Sequence, residues 1–176
     1  MRIFDTKINM PKWLALIVFC LPLATSAQTR SFDFSSIDGT IDAAYKSISG
    51  PAASRDWDRF KTIFIPEARF LIAGAGENGA TTVQILDTPA FVSGFTQLVG
   101  ENPFYEKDIA RKIERYGNIA HVFSTYESRH DIKDKNPFAR GINSFQLFND
   151  GKRWWIVDIY WQEETTNAPI PPKYLH

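Results

Sequence analysis

Cysteine is nearly missing from this sequence: of 176 residues only Cys20 is one, and it lies inside the longest apolar run, residues 13–23 (WLALIVFCLPL). A lone thiol excludes a disulfide framework within the chain, so stability must come from ordinary core burial. The apolar run is too short for a comfortable membrane span, and no second one follows. Histidine is also scarce, with three residues, and no compact spacing of His, Cys and carboxylates supplies the three or four converging ligands that zinc requires. Charge of one sign is missing as well: 20 basic and 20 acidic residues cancel. Such a mixed surface carries no electrostatic footprint for nucleic acid or anionic lipid. No Gly-x-Ser-x-Gly elbow, cysteine nucleophile or phosphate loop is present, which leaves hydrolase and nucleotide-driven chemistry without support.

What is present begins with a leader. Arg2, Lys7 and Lys12 precede the apolar run, and Ala24, Thr25, Ser26 and Ala27 supply the small residues of a cleavage site. This pattern predicts a secretory signal peptide over residues 1–27, and hence a secreted, periplasmic protein that has no cysteine and no membrane contact after cleavage. Its removal takes away three basic groups and one acidic group, leaving a net charge of about −2. Residues 28–35 then form a lead, 36–163 a single domain and 164–176 an extended tail.

Within the domain, Ile37, Ile41, Ala44, Tyr45 and Ile48 recur at helical spacing until Ser49, Gly50 and Pro51 stop the pattern. A second helix is expected over 56–64, with Trp57, Phe60 and Phe64 on one stripe, closed by Ile65 and Pro66. Residues 68–73 read as a strand. The glycines at 74, 76 and 79 lead into a β-type run at 81–86, which makes them a hairpin loop rather than a nucleotide loop. Thr88 followed by Pro89 reads as a cap opening a helix that runs to Gly100. Residues 106–115 (EKDIARKIER) have helix propensity, yet Gly117 and Asn118 turn into an alternating strand at 119–129 that needs a partner, so 106–115 is expected as a strand. The clearest signal comes last. Residues 140–148 (RGINSFQLF) and 153–162 (RWWIVDIYWQ) flank an Asn-Asp-Gly-Lys corner, a hairpin signature. Helices first, then a mostly antiparallel sheet with one helix interposed, is an α+β plan.

Side-chain alternation assigns faces. Ala120, Val122, Ser124 and Tyr126 form one row and are placed inward; His121, Phe123, Thr125, Glu127 and Arg129 form the other. On the last strand Trp155, Val157, Ile159 and Trp161 make a wholly apolar row, also placed inward. Trp154, Ile156, Asp158, Tyr160 and Gln162 then form a face too aromatic for free solvent, which points to a homodimer contact. A bulge would exchange the two rows and bring Asp158 into the interior.

The element order, the helix around Ala44 and Tyr45, the strand start Ala68-Arg69-Phe70, the strand AHVFSTYES from Ala120 and the closing hairpin resemble the nuclear transport factor 2-like superfamily. That superfamily includes ketosteroid isomerase, scytalone dehydratase and the SnoaL-like polyketide cyclases. The resemblance covers residues 36–163 and implies a cone-shaped α+β barrel: a curved sheet wrapped around helices, with a cavity at one end, often in a homodimer. Matched to ketosteroid isomerase, the tyrosine donor falls on Tyr45, the oxyanion-hole acid on Asn143 and the pocket tryptophan on Trp161. The general base falls near Ile72, which cannot take a proton, so that resemblance implies binding of a carbonyl-bearing ligand without this enzyme's own isomerisation.

The candidate catalytic residues are therefore Tyr45, Asn143 and Asp158, and the candidate ligand-binding residues Tyr45, Ser124, Tyr126, Asn143, Phe145, Ile159 and Trp161; no metal or cofactor is expected. His121 and His130 suit acid–base work by type, but fall on opposite faces of one strand, and isolated histidines are more often structural or solvated. Asp58 on the second helix is a further acid candidate, with Asp56 and Arg59 beside it in a favourable arrangement for the helix dipole. Arg140, Arg111 and Arg115 are candidates for an anionic ligand or plain surface residues. The expected function is binding of a small apolar or carbonyl-bearing molecule in an aromatic pocket. The alternatives are a SnoaL-like isomerase, dehydratase or cyclase, and a module that binds another protein through its sheet face. The tail, with Pro169, Pro171 and Pro172, is expected to pack as a strap.

Overall fold

The computed structural model describes residues 32–75 and 80–176. The expected signal peptide, the first half of the lead and the centre of the glycine-rich loop, including Gly76 and Gly79, lie outside the described residues. Helix α1 (Ile37–Ile48) starts where Ser36 accepts a hydrogen bond from the Gly39 amide at 3.0 Å, and it buries Ile41, Ala44 and Tyr45 on the expected stripe. Its far end is tied to the loop before β3: the Gly50 amide donates to the Phe104 carbonyl at 2.6 Å, and the Phe104 amide donates back at 3.1 Å.

Helix α2 (Trp57–Lys61) is shorter than its stripe predicts. The sheet claims the next residues, because the Ile156 amide donates to the Ile63 carbonyl at 3.0 Å and Phe64 pairs with Ile156. Strand β1 (Phe64–Ala75) therefore starts before Pro66 rather than after it. The proline falls in the irregular stretch between Phe64 and Arg69, where the ladder is interrupted and its missing N–H costs little. After β2 (Thr81–Asp87) comes α3 (Thr88–Val99), whose cap is Asp87 rather than Thr88: the Asp87 carboxylate accepts from the Ala90 amide at 2.8 Å. The remaining strands are β3 (Tyr105–Tyr116), β4 (Ile119–Arg129), β5 (Ala139–Asn149) and β6 (Trp154–Glu163). Thus residues 106–115 are a strand, because β4 supplies the ladder that outweighs their local helix propensity.

The six strands form one sheet in the order β2-β1-β6-β5-β4-β3, antiparallel except for the parallel β1–β6 pair. The Asp150 carboxylate holds the β5–β6 corner by accepting from the Lys152 and Arg153 amides at 2.8 and 2.9 Å, and Gly151 takes the positive φ of 90°. The core lies between the inner face and the helices, and Phe60, Phe64, Phe70, Val122, Phe145, Leu147 and Ile156 are all buried in it. Arg111 of β3 fixes α1 on this face by donating to Asp38 and Asp42 at 2.7 and 2.8 Å.

Two single-residue bulges set which side chains face inward. In β6, Gln146 pairs with Asp158 while Leu147 pairs with Ile156, so Val157 is extra. Trp154 and Ile156 consequently point inward and are buried, and the expected inward placement of Trp155 and Val157 is reversed. Beyond the bulge, Ile159 keeps its inward position and is 9 % exposed. In β3, Asp108 pairs with Tyr126 and Ala110 with Thr125, leaving Ile109 extra. The tail crosses the outer face as a strap. Ile170 is buried, Tyr174 packs on Phe123 at 4.9 Å between ring centres, and the Thr125 hydroxyl donates to the Tyr174 carbonyl. No helix among the described residues is long and apolar enough to cross a membrane.

Candidate functional site

The inner face ends in a cavity of about 220 Å³ between the sheet, α1 and α3. Its wall is aromatic because α2, β1 and α3 each point phenylalanines at one another: Phe70 stacks on Phe91 with centroids 4.2 Å apart, and Phe60, Phe95, Phe104 and Trp161 continue the lining. Leu98 and Phe138 stand at its exposed margin.

The polar end is assembled from cross-strand rows. Glu106 lies opposite Ser128; Tyr126 opposite Gly141, which is opposite Glu163; and Ser124 opposite Asn143, which is opposite Trp161. The Tyr45 hydroxyl reaches this end from α1, sharing a hydrogen bond with the Ser124 hydroxyl at 2.7 Å and accepting from the Asn143 amide at 3.1 Å. The Ser128 hydroxyl donates to a Glu106 carboxylate oxygen at 2.8 Å. Ser49 holds the Glu106 backbone, accepting from its amide and donating to its carbonyl, both at 2.9 Å. Gly141 is needed here for space. A Cβ would press on the Gln162 carbonyl oxygen and stand 2.5 Å from the Tyr126 hydroxyl.

Burial pushes the Glu106 carboxyl up to about 7, because desolvation disfavours the anion more than hydrogen bonds from Ser128 and Asn143 favour it. Burial also raises Tyr45 and Tyr126, the latter helped by the negative charges of Glu106 and Glu163, so both phenols stay protonated near neutral pH. Among the described residues the Tyr126 hydroxyl has no hydrogen-bond partner, although the residue is only 4 % exposed and lines the cavity. The site thus offers a group that exchanges a proton near neutral pH, a free phenol and an apolar chamber.

Of the residues singled out from sequence, Tyr45, Tyr126, Asn143, Phe145, Ile159 and Trp161 come together on this cavity. Ser124 does not line it; the residue is fully buried and positions Tyr45 from behind. Asp158 is a correction: the bulge leaves it on the outer face, paired with Arg69 at 3.3 Å, away from the cavity. His121 shares a hydrogen bond with Ser144 at 3.0 Å, and His130 stacks on Phe138 at 4.1 Å; neither lines the cavity. Asp58 is exposed and paired with Lys61 at 3.0 Å, Asp56 caps α2, Arg115 lies 5.0 Å from the Trp154 ring and Arg140 pairs with Glu164 at 3.4 Å. Among the described residues no group of three His, Cys, Asp or Glu side chains converges to hold a metal.

Sequence reasoning missed Glu106, Ser128 and Glu163. Counting alternation back from the Gly117 turn puts odd-numbered residues of β3 inward, as with Ile113 opposite Val122; only the bulge at Ile109 turns Glu106 to the interior. The usable signal was Ser128, which continues the inward row of β4 and is almost fully buried.

No family model and no curated protein matches this chain. Solved structures do match it. A protein of unknown function with a cystatin-like fold from Nostoc punctiforme is 11% identical over 74% of this chain and 90% of that one, with a TM-score of 0.57. A nuclear transport factor 2-like protein of unknown function from Shewanella baltica is 12% identical over 72% of this chain and 90% of that one, with a TM-score of 0.53. The beta subunit of the benzoate 1,2-dioxygenase from Burkholderia mallei is 11% identical over 82% of this chain and 99% of that one, with a TM-score of 0.56. Likeness at such identity concerns the backbone alone. With a curved six-stranded sheet wrapped on α1 and a backbone that superposes on these structures, the chain has the nuclear transport factor 2-like fold.

Proposed function

We propose that this protein binds a small, mainly apolar molecule in the cavity, with the ligand's polar group at the Glu106 end. The observation that carries this is the division of one chamber into an aromatic wall and a single polar end where the Tyr126 hydroxyl is unspent. A carbonyl oxygen would find its donor in that hydroxyl. The protein acts outside the cytoplasm, as the basic and apolar leader supports, and as a homodimer, supported by Ile119, Phe148 and Tyr160 left exposed on the outer face.

The test is native mass spectrometry of the purified protein beside Val99→Trp, which fills the cavity from α3. A small molecule retained by the parent and lost from the variant, with unchanged circular dichroism, is the expected result. Equal retention by both, or none by either, refutes the binding reading.

A second reading, proton-transfer catalysis on a carbonyl-bearing substrate, is favoured by Glu106. A carboxyl titrating at about 7 is matched to take and return a proton at neutral pH, a role typically worth about 10² to 10⁴ in rate. Turnover abolished by Glu106→Gln but not by Asp158→Asn supports it; turnover that survives Glu106→Gln removes it.

A further inference from the structure

The polar end of the cavity has its hydrogen-bond capacity unevenly spent. Ser128 donates to Glu106, and the Asn143 amide donates to Tyr45. What remains is mostly acceptor: the second oxygen of Glu106, the Asn143 carbonyl oxygen and the Tyr126 oxygen. Against these stands the Tyr126 hydrogen, joined by the carboxyl hydrogen of Glu106 only as pH falls below about 7.

Charge in the lining is equally one-sided. Among the described residues, Glu106 and, at the exposed rim, Glu163 are the carboxylates of the lining, and no lysine, arginine or histidine lines the cavity. A desolvated carboxylate normally has a cationic partner, and among the described residues none pairs with Glu106 within the chamber. Around it stand the rings of Phe91, Phe95, Phe104, Phe138 and Trp161, side chains whose faces attract organic cations and which repel nothing apolar. An anion would meet two carboxylates and no counter-charge.

We infer that the ligand is a small lipophilic amine, bound as its ammonium with the nitrogen between Glu106, Asn143 and Tyr126 and the hydrocarbon against the phenylalanine wall. This rests on the cavity being a ligand site, as proposed above. An ammonium brings three N–H donors and no acceptor, which complements three unspent acceptors where a carbonyl would complement one donor. At about 220 Å³ the chamber is below the usual size of drug-binding pockets, so the amine is a one-ring molecule or smaller.

The test uses the purified protein at pH 7.5 and three matched probes: 2-phenylethylamine, 2-phenylethanol and phenylacetate, each titrated calorimetrically. The amine is expected to bind about tenfold more tightly than the alcohol, from a charge-assisted hydrogen bond and ring contacts, and phenylacetate not to bind. In Glu106→Gln the amine and the alcohol should come to the same affinity, and in Tyr126→Phe the amine's advantage should shrink by about threefold, the share of one neutral hydrogen bond. Alcohol binding equal to amine binding in the parent protein, or an amine preference that persists in Glu106→Gln, overturns the amine assignment while leaving a binding cavity. Absence of binding by all three probes overturns both.

Discussion

Glu106 is an acid kept in a place that suits its neutral form, and replacing it by glutamine should change how stability depends on pH. The ordinary glutamate value is 4.5, and the folded site raises it to about 7. Between those values the folded protein holds a proton that the unfolded chain has released. Stability from this group is therefore fully present below about 4.5, falls as pH rises toward 7, and is lost above it. At about 1.4 kcal/mol per pH unit the span corresponds to on the order of 3 kcal/mol, and access of water through the cavity mouth reduces this to about 2 kcal/mol. Glutamine keeps an acceptor for the Ser128 hydroxyl but cannot ionise. Urea unfolding of both proteins at half-unit steps from pH 4.5 to 8.5 gives the difference profile, in which the other titrating groups cancel. Glu106→Gln should gain about 2 kcal/mol on the parent protein between pH 5 and pH 8. Parallel profiles would refute the reasoning, since they would mean that the carboxyl ionises as freely in the cavity as in water.

Two further outcomes follow from the same geometry. Gly141→Ala places a methyl against the Gln162 carbonyl and 2.5 Å from the Tyr126 hydroxyl, so it should cost about 1–3 kcal/mol in denaturant unfolding; a neutral result would show that β5 can move away from β6. Tyr45→Phe leaves the fully buried Ser124 hydroxyl and the Asn143 amide each without a partner they now have, and should cost about 1–3 kcal/mol with a lowered thermal midpoint. An unchanged midpoint would mean that water replaces the phenol at that end of the cavity.

The parts of this fold that were legible in the sequence are those governed by local rules. The stripe Ile37, Ile41, Ala44, Tyr45 and Ile48 forms α1, the Asp150-Gly151 corner closes the last hairpin, and the row Ala120, Val122, Ser124 and Tyr126 faces inward without interruption. That row and the apolar stripe of α1 name Tyr126 and Tyr45 of the cavity wall, while the phenylalanines of α2, β1 and α3 that make most of it were not named as lining. The errors share a cause. The predicted helix over 56–64 stopped at Lys61 because a partner strand offered Ile63 and Phe64 a ladder, and no local propensity reports what lies across space.

The chain's sequence alone determined that an α+β fold with an aromatic interior would form, because turn chemistry and alternation are properties of a few neighbouring residues. Tertiary structure alone decided which acid meets the cavity. One extra residue at Ile109 turns Glu106 inward, and one at Val157 reverses the residues before it while leaving Asp158 outside with Arg69. A strand's side chains alternate with a period of two, so a single inserted residue reverses every assignment on one side of it, and where the insertion falls depends on the partner strand.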